Sequence, residues 1–252
     1  MAHATVAQPF WSQPLMQPPL AVGFMMDALR PANRSVHYQH RAMQATLSNV
    51  TLATLLAPFV SRWHGPYVVS PMLARAAVSD VTDVFEFLAS KPGASITLNV
   101  EALGSSEARR LLGSLLPSGY ELFGGSETRN LTAGTGSLTA HVYITTAGGS
   151  AASPHVDGGE VLVQQLMGEK AWRFAPWPED DPDEGSVAAE RARLRAGDAL
   201  WLAPRTWHVA RVPRDARVPS THITFERCKL QHPWCESCSL GICDSVRPME
   251  QG

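Results

Sequence analysis

"SPHVDGGEVLVQQLMGEKAWRF", Ser153–Phe174, sets His155 and Asp157 two positions apart and follows them with the run "EVLVQQLM". The chain then turns at Gly168–Glu169 and opens a second β-prone run at Lys170. Two extended runs joined by a short glycine turn read as a hairpin. On extended backbone, residues i and i+2 point to the same side, so His155 and Asp157 can converge on one ion. His-x-Asp is also common by chance, and the pair alone fits a polar loop equally well. Beyond this stretch the texture repeats in "TAHVYITT", "DALWLAP", "WHVARV" and "STHITFE", each bounded by Gly, Pro or Asp. Short strands at close spacing, with little helical pattern between them, predict a barrel or sandwich over residues 138–227.

A mononuclear iron(II) centre for oxygen chemistry needs two imidazoles and one carboxylate on one face, with the opposite face open. The third ligand is sought on another strand. In "RAGDALWLAPRTWHVARV" a turn at Pro204–Thr206 delivers His208, with Trp207 and Val209 facing the other side and expected to anchor the strand in the core. Alone, His208 reads as a half-exposed turn histidine. Lys170 opens the strand after the glycine turn. Directed inward, it can pair with a carboxylate of a small organic acid held beside the metal. Directed outward, it is an ordinary surface lysine.

Four stretches, taken in order, resemble one family: "HVYITTAGGSAASPHVD", "VLVQQLMGEKAWRF", "LRAGDALWLAPRTWHVA" and "STHITF". They are similar to the JmjC-type cupins, and within those to the ribosomal-oxygenase (bacterial cupin-4) branch, over about residues 94–226. The opening "QPFWSQPLMQPPLAV" bears a looser likeness to the same branch. The resemblance implies a double-stranded β-helix (jelly-roll) core preceded by helices, with iron(II) on His155, Asp157 and His208. It implies 2-oxoglutarate on the metal, its distal carboxylate on Lys170, and O2 as oxidant. The reaction implied is oxidative decarboxylation to succinate and CO2, coupled to hydroxylation of a substrate C–H bond. In that branch the substrate is a histidine or arginine of a ribosomal protein; in other JmjC branches it is methyl-lysine, asparagine or a modified nucleotide. The chain departs from the pattern at His141, where the branch has asparagine, which alters a polar contact near the co-substrate. It departs again at Gly158–Gly159, which is expected to loosen the mouth of the site. Tyr143, on the strand of His141, either donates its hydroxyl to the co-substrate or packs in the core. Gln165 matches a family glutamine, and either it or Gln164 should point into the barrel. His222 reads as a satisfied barrel histidine, Glu160 as structural, and Trp172, Trp201 and Trp207 as core.

The 252 residues carry 21 basic and 23 acidic side chains, a net charge of -2, which predicts no field for nucleic acid or an anionic membrane. No apolar run approaches the ~20 residues of a membrane span, and the start lacks a basic region followed by an apolar one. The compartment expected is cytoplasm or nucleus, although Asn33, Asn49 and Asn130 sit in glycosylation sequons. Cys228, Cys235, Cys238 and Cys243 cluster near the C-terminus with His232. They suit either a structural zinc site of unfamiliar spacing or plain thiols and one disulfide.

Four segments are expected: an extended arm over 1–35, a mixed helical and strand region over 36–137, the barrel over 138–227, and a Cys-rich tail over 228–252. Residues 36–59 are read as helical, ending before Pro58, and 79–90 as a better helix capped by Ser79 or Asp80. "SITLNV" reads as a strand and 106–116 as a helix. The acidic stretch after Pro176 reads as a solvated loop in which "SVAAERARL" adds a helical turn. The function expected is an iron(II)- and 2-oxoglutarate-dependent hydroxylase acting on a protein side chain. Two other readings stand beside it: a catalytically silent cupin scaffold, and a metal-dependent cupin of other chemistry. The intact triad together with Lys170 argues against the first, because a scaffold has no need of all four. Lys170 discriminates against the second, because it has a role only when a dicarboxylate co-substrate binds.

Overall fold

Antiparallel pairing of the predicted runs builds two facing sheets. The computed structural model describes residues 9–12, 14–17, 36–38, 45–60, 68–69, 78–100, 121–122, 137–176 and 189–227. Its first strands are β1 (Pro14–Gln17), β2 (Val36–Tyr38), β3 (Ala45–Thr51), β4 (Val68–Val69), β5 (Ser95–Asn99), β6 (Glu121–Leu122) and β7 (Ser137–Thr145). Then come β8 (His155–Val156), β9 (Glu160–Met167), β10 (Glu169–Pro176), β11 (Glu190–Arg195), β12 (Ala199–Leu202), β13 (Thr206–Arg211) and β14 (Ser220–Arg227). Among the described residues two helices, α1 (Leu52–Val60) and α2 (Val81–Ser90), precede the barrel strands.

Among the described residues the smaller sheet runs β11-β10-β13-β8 and the larger runs β2-β12-β9-β14-β7-β5-β4, with β6 parallel to β7. β1 and β3 form a separate pair. The two facing sheets form a double-stranded β-helix. Strands β2, β4 and β5, from before residue 137, extend its larger sheet.

Side-chain alternation explains the layers. On β7, Ala140, Val142 and Ile144 face the helices, where they pack with Leu55, Phe59, Phe85 and Leu88 of α1 and α2. The intervening His141 and Tyr143 face the smaller sheet. β9 is buried along its whole length because both its faces are covered. Leu162 and Leu166 meet the helices, while Val161 and Val163 meet Trp172, Phe174 and Leu194 between the sheets. Phe85 carries much of the helical layer, stacking on Trp11 at 5.0 Å. Burying such a ring stabilises by about 2–3 kcal/mol.

Helix α2 starts where the sequence predicts. The Asp80 carboxylate accepts from the Thr82 and Asp83 amides, and Asp83 returns a bond to the Asp80 amide. The predicted helix over 36–59 is corrected. Residues 36–38 and 45–51 are strands, and the helix spans only Leu52–Val60, with Pro58 inside its last turn. Thr51 and Thr54 cap it reciprocally, which fixes its start at the end of β3. "ERARL" is also corrected, from helical turn to strand. Its Ala192 and Leu194 alternate with exposed arginines, and pairing with β10 selects the two-residue period. The predicted helix over 106–116 and the four cysteines lie outside the described residues.

At the hairpin turn Gly168 has φ +64, and a Cβ there would meet the Pro219 carbonyl oxygen at 2.6 Å. The turn that reverses the chain ahead of Lys170 therefore accepts only glycine without rearrangement.

Candidate metal centre

His155 and His208 are direct partners in the β8–β13 ladder, so their side chains rise on one face of the smaller sheet. Asp157 follows two residues after His155, and its carbonyl accepts the Arg205 amide at 3.0 Å. Arg205 itself holds φ 59, the left-handed region that non-glycine residues rarely enter. The turn before β13 thus fixes the backbone of one candidate ligand while presenting another.

The ligand atoms of His155, Asp157 and His208 all lie within 4.8 Å of one another. The Asp157 carboxylate sits 3.6 Å from His155 Nε2 and 3.4 Å from His208 Nε2. Each imidazole is oriented from behind. His155 Nδ1 donates to the Ser153 carbonyl at 2.7 Å, and His208 Nδ1 donates to the Thr206 carbonyl at 2.9 Å. A carbonyl only accepts, so both rings carry their proton on Nδ1 and turn the Nε2 lone pair toward the shared centre. Burial holds His208 below the ordinary imidazole range; His155 adds to this and the Asp157 charge opposes it. A neutral imidazole is the form that binds a metal.

Lys170 points into the barrel and is 1% exposed. Its Nζ donates to Thr145 Oγ1 at 3.4 Å, and Thr145 Oγ1 also bonds Ser95 Oγ at 2.9 Å. No carboxylate among the described residues reaches Lys170. Desolvation pulls its pKa from 10.5 down to about 7.

Around Lys170 lies a set of polar groups from the inner face of the larger sheet. His222 stacks on Tyr143 at 4.8 Å with rings nearly parallel. Burial first, then the Lys170 charge, hold His222 well below its ordinary pKa. Burial and the Asp157 charge raise the Tyr143 phenol, while a bond from Thr224 opposes them. His141 is lowered by burial against the pull of Asp157. Trp172 joins the two regions, 6.0 Å from the His208 ring and 5.7 Å from that of His222.

The structure brings His155, Asp157 and His208 together and sends Lys170, Tyr143 and His141 into the same barrel end. Glu160 is buried but outside the three-ligand group. Of the two glutamines, Gln165 lies on the inner face opposite His222, and its amide donates to the Met167 carbonyl at 2.7 Å and Ser220 Oγ at 2.8 Å. One reading is corrected. His222 is buried yet its Nδ1 has no partner among the described residues, because ring stacking uses its faces and leaves its edge unmatched. Trp207 is buried, as read, on the other side of the strand from His208, with the Arg173 guanidinium 5.8 Å from its ring. Arg205 was not singled out by sequence; "APRTW" gives no sign of a left-handed arginine.

With this geometry in place, comparison with known proteins is direct. Residues 129–230 match the family model for the JmjC domain. The chain is 39% identical over 99 residues to a Bos taurus protein named Ribosomal oxygenase 2. That match covers 36% of this chain and 21% of the relative. The Rattus norvegicus protein of the same name is 32% identical over the same length and coverage. The chain therefore spans about a fifth of the length of these relatives. Among solved structures, E. coli ycfD overlays with a TM-score of 0.39 at 14% identity, over 64% of this chain and 43% of that one. All three candidate ligands and Lys170 fall inside the matched residues. No described helix is long and apolar enough to cross a membrane.

Proposed function

We propose that the chain is an iron(II)- and 2-oxoglutarate-dependent oxygenase of JmjC type that hydroxylates a protein side chain. One observation carries this reading. An N,N,O donor set opens toward solvent, with His155 and Asp157 each 28% exposed, and a buried ammonium with no counter-ion among the described residues stands in the same barrel. The donor set suits iron(II). The Lys170 ammonium suits an acid carboxylate, and His222 Nδ1 and Gln165 Oε1, unmatched among the described residues, lie in the same region. His155, Asp157 and His208 would hold the iron, Lys170 the distal carboxylate of 2-oxoglutarate, and Tyr143 and His141 the flanks of the co-substrate.

The bound metal and co-substrate supply oxidative decarboxylation coupled to C–H hydroxylation. The chain supplies position. Ser153 and Thr206 orient the two imidazoles, Arg205 fixes Asp157, and Thr145 steadies Lys170. Trp172, with Val161, Val163 and Phe174 between the sheets, keeps water from the inner wall. The relatives' name supports a protein substrate, with a ribosomal histidine or arginine to be tried first. Cytoplasm or nucleus is the compartment proposed. The division into arm, mixed region, barrel and Cys-rich tail is proposed on the same footing.

The test is succinate formation from 2-oxoglutarate with iron(II), run beside anaerobic Mn(II) binding, for wild type and His155→Ala. Turnover and metal uptake that both vanish in the variant are expected. Wild type that takes up no metal and forms no succinate refutes the proposal.

A further inference from the structure

The outer side of the smaller sheet presents a concentration of positive charge. Arg173 on β10, Arg191, Arg193 and Arg195 on β11, and Arg211 on β13 are all exposed. They alternate with buried Trp172, Phe174, Ala192 and Leu194, so they share one face. The ladders set them in adjoining rows. Arg191 opposes Arg173, which opposes Val209; Arg193 opposes Ala171, which opposes Arg211; Arg195 opposes Glu169. Among the described residues only Arg193 of the five is paired with a carboxylate, that of Glu169. A groove of about 540 Å³ crosses the face. Its floor includes Ala171 and Val209, Arg173 and Arg211 border it, and the segment Ser150–Pro154 walls it. That segment is tied down by Ser150 Oγ, which donates to the Ala210 carbonyl at 2.8 Å, and it leads directly into His155.

We infer that this face docks a nucleic-acid phosphate backbone beside the mouth of the metal centre. Arginine forks hold phosphate oxygens in pairs. Neighbouring strands ~4.8 Å apart, with same-face residues ~6.6 Å apart along each strand, spread the charges as a grid. A flexible chain with one charge per nucleotide can follow such a grid in two directions. An extended acidic peptide puts only alternate side chains on the face and needs pockets for specificity. Only Ala171 stands between Arg193 and Arg211, where a sugar-phosphate chain can lie close. The inference is independent of the oxygenase reading, since binding needs neither iron nor 2-oxoglutarate.

The experiment is fluorescence anisotropy of a labelled 12-nucleotide oligouridine with the full chain. Four neutralised phosphates give a single-strand salt slope of about -3, so affinity should fall about fiftyfold between 50 and 200 mM salt. Arg173→Glu/Arg191→Glu/Arg211→Glu should weaken binding at least tenfold and flatten that slope. Lys91→Glu, outside the face, should change it less than twofold. Each single reversal, milder for the fold, should weaken binding severalfold, with Mn(II) uptake unchanged to show an intact barrel. The inference is overturned if the wild type does not bind at 50 mM salt, or if the triple variant binds as the wild type does. Competition by polyglutamate as strong as by unlabelled RNA also overturns it, assigning the face to acidic protein. So does binding that emerges only when Glu179, Asp180, Asp181, Asp183 and Glu184 become amides, which assigns the face to the chain's own acidic stretch.

Discussion

Replacing Lys170 by methionine tests whether the buried ammonium is built for a ligand. Its pKa in the fold is about 7 against 10.5 for the free side chain. Between these values the unfolded chain binds the extra proton and the folded chain does not, so stability rises with pH across that window. The penalty is fully present below pH 7 and fades toward pH 10.5. It amounts to about 4 kcal/mol at pH 7 and about 2 kcal/mol at pH 9. Urea unfolding of the ligand-free wild type should therefore show about 2 kcal/mol more stability at pH 9 than at pH 7. Lys170→Met keeps the apolar stem and removes the charge, so its stability should not follow this rise, and at pH 7 it should exceed wild type. Binding of 2-oxoglutarate, measured with Mn(II) in place of iron, should reverse the ranking. The carboxylate restores the lysine pKa, so affinity should fall up to about tenfold per pH unit above 7. In the methionine variant it should fall roughly a hundredfold at pH 7. Wild type and variant with parallel stability profiles, or a variant that binds 2-oxoglutarate normally, would refute the reasoning.

His155→Ala, Asp157→Ala and His208→Ala should each weaken Mn(II) binding by roughly a hundredfold or more, read by calorimetry. Gly149→Ala should cost about 2 kcal/mol in urea unfolding, because its Cβ would stand 2.7 Å from the Gly93 carbonyl oxygen and 2.8 Å from Thr145 Cγ2. Thr145 is the partner of Lys170, so the same variant should also bind 2-oxoglutarate severalfold more weakly. Asp80→Ala removes the cap of α2 and should cost about 1 kcal/mol without altering metal binding.

The barrel was legible where alternation and glycine turns coincide. "TAHVYITT" and "KAWRFAP" show the two-residue period, and Gly168 marks the reversal between β9 and β10. The candidate ligands were legible because His155 and Asp157 need only extended backbone to converge, and His208 follows a turn written in "APRT". What escaped depends on partners distant in sequence. Residues 45–51 carry no decisive period, and pairing with β1 makes them a strand. "ERARL" suits a helix or a strand until β10 lies beside it. The edge of His222 and the left-handed Arg205 are products of packing that no local pattern records. The arginine face escaped for another reason. A net charge of -2 averages over the chain, whereas sheet geometry gathers five arginines onto one side.

Strand β8 is only His155 and Val156, at the edge of the smaller sheet, and one of its two ladder pairs joins His155 to His208. So short a strand gains little from its own hydrogen bonds. An ion held by both histidines would act as a clasp across that seam, and part of its binding free energy would go into seating the edge. Amide exchange at Val156 should then slow when metal is added and quicken when it is chelated. The same two-residue strand makes the centre a gauge of how firmly the loop before it, Ser150–Pro154, is held against β13.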